Sequence, residues 1–120
     1  MNLMEEEYQK GNYVIAGGDF NQTFESAEGV YPLYNTDHFI PGTLTEDSLP
    51  EGFAFAGDDA YPTSRVLNKP YSGSYEDTQL YVIDGFIVSE NIKVDEVKVI
   101  DKDFKYSDHQ PVKLIVRLEE

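Results

Sequence analysis

In "PVKLIVRL" (residues 111 to 118) the apolar residues Val112, Leu114, Val116 and Leu118 occupy alternate positions, with Lys113, Ile115 and Arg117 between them. Successive side chains of an extended chain point to opposite faces, so this spacing predicts a strand with one apolar face. Pro111 stands at its first residue, where a missing N–H does least harm. "IKVDEVKVID" (92 to 101) also alternates, but Ile92 and Val94 share one parity while Val97 and Val99 share the other. A β-bulge near Asp95 accounts for the change of phase. "LYVIDGFIVS" (80 to 89) is rich in β-branched and aromatic residues and reads as a third strand. "YVIAGG" (13 to 18) is a short continuous apolar run, which predicts a strand covered on both faces. Residues 3 to 10, "LMEEEYQK", suit a short helix: Met4 and Tyr8 stack four apart, and Gly11 offers a stop. Between residues 25 and 60, Gly, Pro, Asp and Ser recur at short intervals. That composition predicts a long excursion with little regular structure, interrupted by a brief strand in "GFAFAG" (52 to 57). One helix and four or five strands make an α/β layer.

Length and composition narrow this picture. A chain of 120 residues, 40% hydrophobic, is long enough for one domain with a core and too short for two ordinary ones. Without cysteine it has no disulfide framework, thiolate metal site or cysteine nucleophile. No apolar run approaches the roughly 20 residues of a membrane helix. "MNLMEEEYQK" lacks the basic start and apolar core of a signal peptide, and localisation stays open. The net charge of −14 repels nucleic acid and anionic membranes. An anionic substrate therefore requires a bound cation or a local Arg/Lys cluster to reverse the field.

Three polar insertions at strand ends or within strands carry the candidate chemistry. "AGGDFNQTF" (16 to 24) ends the first strand in Asp19 and Asn21. Two residues apart in an extended chain, they are expected to project together while Phe20 turns into the core. Asp84 lies within an apolar strand, on the parity of Val82, Phe86 and Val88, and an unpaired buried carboxylate is costly. "SDHQPV" places Asp108 and His109 immediately before the last strand. A histidine there is able to donate its ring N–H to Asp84, fixing the tautomer and raising the basicity of the other nitrogen.

Together, "GGDFN", "YVIDGFIVS" and "YSDHQPV" resemble the C-terminal signature of the endonuclease/exonuclease/phosphatase family, the DNase I-like metal-dependent phosphoesterases. The resemblance covers nearly the whole chain. It implies the C-terminal half of a DNase I-like four-layer α/β sandwich: one mostly antiparallel sheet with a helix on one face, residues 1 to 120 forming that half. It also implies roles. Asp19 positions or deprotonates the attacking water, Asn21 hydrogen-bonds the phosphate, and Asp84 orients His109 against the scissile phosphate. Asp108 belongs to a site for Mg²⁺ or Mn²⁺. Thr63, Arg65 and Asn68, in "PTSRVLNKP", fall where the family often places substrate contacts.

The same resemblance sets further expectations. The family places a glutamate metal ligand and usually a second histidine in an N-terminal half, which has no counterpart among the 18 residues before Asp19. An arginine common two residues before the strand aspartate is replaced by Val82, which keeps phosphorylated inositols, sugar phosphates and phospholipid head groups in view beside nucleic acid. The implied activity is divalent-metal-dependent hydrolysis of phosphate esters in the intact protein. The alternative is a non-catalytic remnant that binds a cation or a partner. Half a sandwich is also expected to leave one sheet face bare, either the Val112/Leu114/Val116/Leu118 row or residues such as Ile115. Self-association through that face is the expected consequence.

Overall fold

The computed structural model describes residues 2–33, 40–66, 71–75, 78–105 and 107–118. The predicted helix forms as α1 (Asn2–Gln9), with Met4 and Tyr8 half-buried on its inner side and Gly11 ending it at φ 88°. Nine strands follow: β1 (Ile15–Asp19), β2 (Gln22–Phe24), β3 (Gly42–Leu44), β4 (Phe53–Ala56), β5 (Ser64–Arg65), β6 (Leu80–Tyr81), β7 (Asp84–Ser89), β8 (Ile92–Val99) and β9 (Val112–Leu118). The class is mixed α/β, as the patterning predicts. Among the described residues the strands form several small sheets rather than one. A three-stranded antiparallel sheet runs β1-β7-β4, and β8–β9 and β5–β6 are antiparallel pairs. β2–β3 is a parallel pair. The excursion over 25 to 60 is more regular than its composition suggests, holding β3, β4 and two short 3₁₀ turns, Glu25–Ala27 and Glu46–Ser48.

β7 is the centre of the fold. It pairs on both sides, and Gly85, Ile87, Val88 and Ser89 are buried. The β8–β9 hairpin packs on this sheet: Ala56, Val88 and Ile92 form a buried cluster against which Phe86, Val94, Leu114 and Val116 lie. Of the β9 row expected to stand bare, Val112, Leu114 and Val116 are therefore half-buried, with Leu114 and Val116 against the three-stranded sheet, while Leu118 at the end is exposed. On its opposite face Ile115 is exposed between Lys113 and Arg117, a lone apolar residue rather than a patch. The pairing of β8 with β9 shifts register between Val94 and Glu96, which places the expected bulge at Asp95. The bulged Asp95 accepts the Arg117 Nε–H on both carboxylate oxygens, each at 2.9 Å.

β1 departs from expectation. It pairs only with β7, and Ile15, Gly17, Gly18 and Asp19 are exposed. An apolar run predicts burial through its side chains, but "AGG" has almost none to bury. The glycine serves a close approach instead: a Cβ at Gly17 would stand 2.6 Å from the Phe86 ring. On the other side of the sheet the Phe24 ring stacks on Phe55, with centroids 4.4 Å apart, and covers Gly57 and Gly85.

Candidate functional site

The β1–β7 register sets Asp19 directly opposite Asp84. Like charges facing each other across a ladder are unfavourable, and here a histidine from a third element stands between them. His109 is placed by a backbone bridge to Ser64, with Arg65 donating its N–H to the Asp108 carbonyl and Gln110 donating to the Thr63 carbonyl. Its Nδ1 lies 2.9 Å from Asp84 Oδ2 and 3.1 Å from Oδ1. Its Nε2 lies 3.6 Å from Asp19 Oδ2. One ligand atom from each of the three residues falls within 4.8 Å of the others.

The electrostatics of this row follow from its geometry. Nδ1–H donating to Asp84 leaves a neutral imidazole with an unprotonated Nε2 facing a carboxylate, acceptor against acceptor. A proton on Nε2 or a cation between them satisfies both. Burial pushes the Asp84 carboxyl above its ordinary range, since the charged form loses its water. The Thr63 hydroxyl and His109 act in the opposite direction, and Asp19 adds to the rise.

Thr63, expected at the substrate, is fully buried at 0% exposure and has no route to one. Its hydroxyl accepts the N–H groups of Ile83 at 2.9 Å and Asp84 at 3.2 Å. That leaves its own proton for the Asp84 carboxylate, so Thr63 fixes both the backbone and the charge of that residue. Thr63→Val should destabilise the protein by about 1–3 kcal/mol, because two buried N–H donors lose their acceptor, whereas Thr63→Ser should cost far less. Denaturant unfolding of the two variants checks this.

The extended run expected to carry both Asp19 and Asn21 stops at Asp19. β1 ends at Asp19, and Asn21 turns into the left-handed region at φ 53°, donating its backbone N–H to Asp19 Oδ1 at 2.8 Å. This is an Asx turn, which asparagine tolerates. The Asp19 carboxylate thus divides its oxygens: Oδ1 holds the turn and Oδ2 faces His109. Asn21 is exposed beside it.

Asp108, expected as the metal ligand, stands outside the Asp19/Asp84/His109 group. Asp108 sits in the bend before β9, half-buried beside His109. Among the described residues, its carboxylate accepts the Ser107 hydroxyl at 3.5 Å. Ser107 matters more through its oxygen, which accepts the His109 N–H at 3.1 Å. The "SDH" triplet is therefore a capped turn as well as the carrier of the histidine. Arg65 lies over the rings of Tyr71 and Phe104, 5.3 and 6.0 Å from their centroids, and its buried Nε has no hydrogen-bond partner among the described residues. Asn68 lies outside the described residues.

Compared with family models, with curated proteins and with solved structures, the chain gives no match.

Proposed function

We propose that the chain carries the C-terminal part of the active site of a divalent-metal-dependent phosphoesterase, hydrolysing phosphodiesters or phosphomonoesters in the intact protein. The observation that supports this reading is the row Asp84–His109–Asp19, assembled from β7, the turn before β9 and the end of β1. A carboxylate that holds one imidazole nitrogen leaves the other available to a phosphoryl oxygen or a leaving group. Asp19 Oδ2 stands where it can accept a proton from water, and the exposed Asn21 is the neighbouring candidate for a phosphate oxygen.

The residues fit an ion of the Mg²⁺ or Mn²⁺ type. Such ions take one or two carboxylates and keep several waters. Asp84 is committed to His109 through both oxygens, so Asp19 is the carboxylate that remains to hold the ion. When bound, the ion supplies positive charge against the developing phosphoryl negative charge, which a chain of net charge −14 otherwise lacks. Hydrolysis of bis(4-nitrophenyl) phosphate or 4-nitrophenyl phosphate by the intact protein should require Mg²⁺ or Mn²⁺ and stop on chelation. Turnover that persists unchanged in EDTA would count against the metal part of this reading.

No helix among the described residues is long and apolar enough to cross a membrane. The surface we assign to a partner, either an N-terminal half or a second copy, is the edge where Leu3, Tyr13 and Ile15 are exposed along α1 and β1. Light scattering of the 120-residue chain should give a mass above 13.6 kDa. A monomer at all concentrations would remove the self-association.

A further inference from the structure

His109 forms one wall of a second cleft, of about 440 Å³, whose other walls include Phe104, Pro111, Ser107, Lys102 and Lys105. Only 9 of the 120 residues are Lys or Arg, against 23 acidic ones, yet two of them stand together here. Phe104 and Pro111 give the cleft an apolar floor, Phe104 being buried and both lysines exposed.

The loop that bears the lysines is held in place at several points. Gln110, itself buried, accepts the Lys102 N–H at 2.6 Å and donates to the Pro62 carbonyl at 2.7 Å. Asp103 donates its N–H to Asp101 Oδ1 at 3.0 Å, and Tyr71 donates its hydroxyl to Asp103 at 2.9 Å. Tyr75 does the same to Asp101. Asp103 and Phe104 both lie in the left-handed region, at φ 53° and 52°. Two consecutive non-glycine residues rarely stay there unless their surroundings over-determine them. Here the surroundings are the rings of Tyr71 and Tyr75, each 5.6 Å from Phe104.

From this the geometry points to a substrate class: the cleft is the seat of an apolar ester arm attached to the phosphoryl group at His109, with Lys102 meeting the negative charge. The inference rests on the phosphoesterase reading and narrows it to phosphate esters of apolar alcohols, aryl or acyl-bearing. A preformed apolar cleft with a few convergent polar groups is the usual form of a small-molecule site. Hydrated polar esters such as sugar phosphates would leave Phe104 and Pro111 without a contact.

Phenylphosphonate and inorganic phosphate, titrated separately into the intact protein and followed by amide NMR, test this. Both should perturb Asp19 and His109, but only phenylphosphonate should also perturb residues 102 to 107, and it should bind about tenfold more tightly. The variant Lys102→Gln, at an exposed position, should weaken phenylphosphonate by roughly threefold. Equal binding of the two ligands, with shifts confined to Asp19 and His109, would overturn the cleft and leave the phosphoesterase reading standing. Shifts at residues 102 to 107 alone, or no binding of either ligand, would overturn both.

Discussion

His109→Ala should lower turnover of a phosphodiester by about 10²- to 10⁴-fold in the intact protein, the usual contribution of a positioned acid or base. Asp84→Asn should lower it by about 10- to 100-fold, since the ring keeps a hydrogen-bonding neighbour but loses the charge that sets its basicity. The two variants differ in what they do to folding. Burial holds the Asp84 carboxyl above its ordinary value of 3.8, against the opposing effects of Thr63 and His109. Below 3.8 the group is protonated in both folded and unfolded chains and costs nothing. As pH rises through the raised folded value, the folded protein must release a proton that it binds more tightly than the unfolded chain does, and stability is lost. Above that value the loss is complete. Asp84→Asn should therefore melt at a higher temperature than the parent at pH 7, and the advantage should vanish as pH falls through the raised value toward 3.8. An asparagine variant that melts lower at pH 7 would mean that the ionised Asp84 is a net stabiliser. A gain in stability paired with a loss of turnover is the mark of a residue retained for chemistry.

Phe24→Ala should destabilise the domain by about 3–5 kcal/mol. The ring is buried, stacked on Phe55 and tilted against Phe20 with centroids 5.7 Å apart. It also fills the space over two glycines, where a Cβ on Gly85 would meet it at 2.6 Å and one on Gly57 at 2.9 Å. Neither glycine can close the void with a side chain of its own, so the cavity term adds to the lost burial. Phe24 follows the Asx turn by three residues and covers the residue after Asp84, so the deletion should also loosen the site. Denaturant unfolding measures the stability. A cost below about 1 kcal/mol would mean that Phe20 swings in to refill the space.

What could be read from the sequence depended on strand length. β7, β8 and β9 run six to eight residues, long enough for parity to declare itself, and the phase slip in β8 located the bulge at Asp95. Strands of two or three residues, such as β5, β6, β2 and β3, contain a single period at most and left no repeating pattern. The meeting of Asp84 with His109 was legible because a carboxylate within an apolar strand demands a donor. Thr63 was misplaced because the same hydroxyl suits a ligand or a buried backbone, and only its depth distinguishes them. The place of Asp108, outside the Asp19/Asp84/His109 group, was not legible because the bend that carries it has no alternation to read.

The position of β1 at the outside of its sheet has a dynamic consequence. Asp84 arrives on the innermost strand, bonded on both sides, whereas Asp19 arrives on a strand bonded on one side and open to water. Strand edges of that kind exchange their amides through local opening, at a free energy well below that of global unfolding. Whatever the row Asp84–His109–Asp19 does, it does only in the fraction of molecules where β1 is closed. A ligand that bridges Asp19 and His109 selects that fraction, and its apparent affinity is the intrinsic one reduced by it. Any partner that adds a strand or a face to β1 would raise the closed fraction, and would tighten binding without touching the ligand.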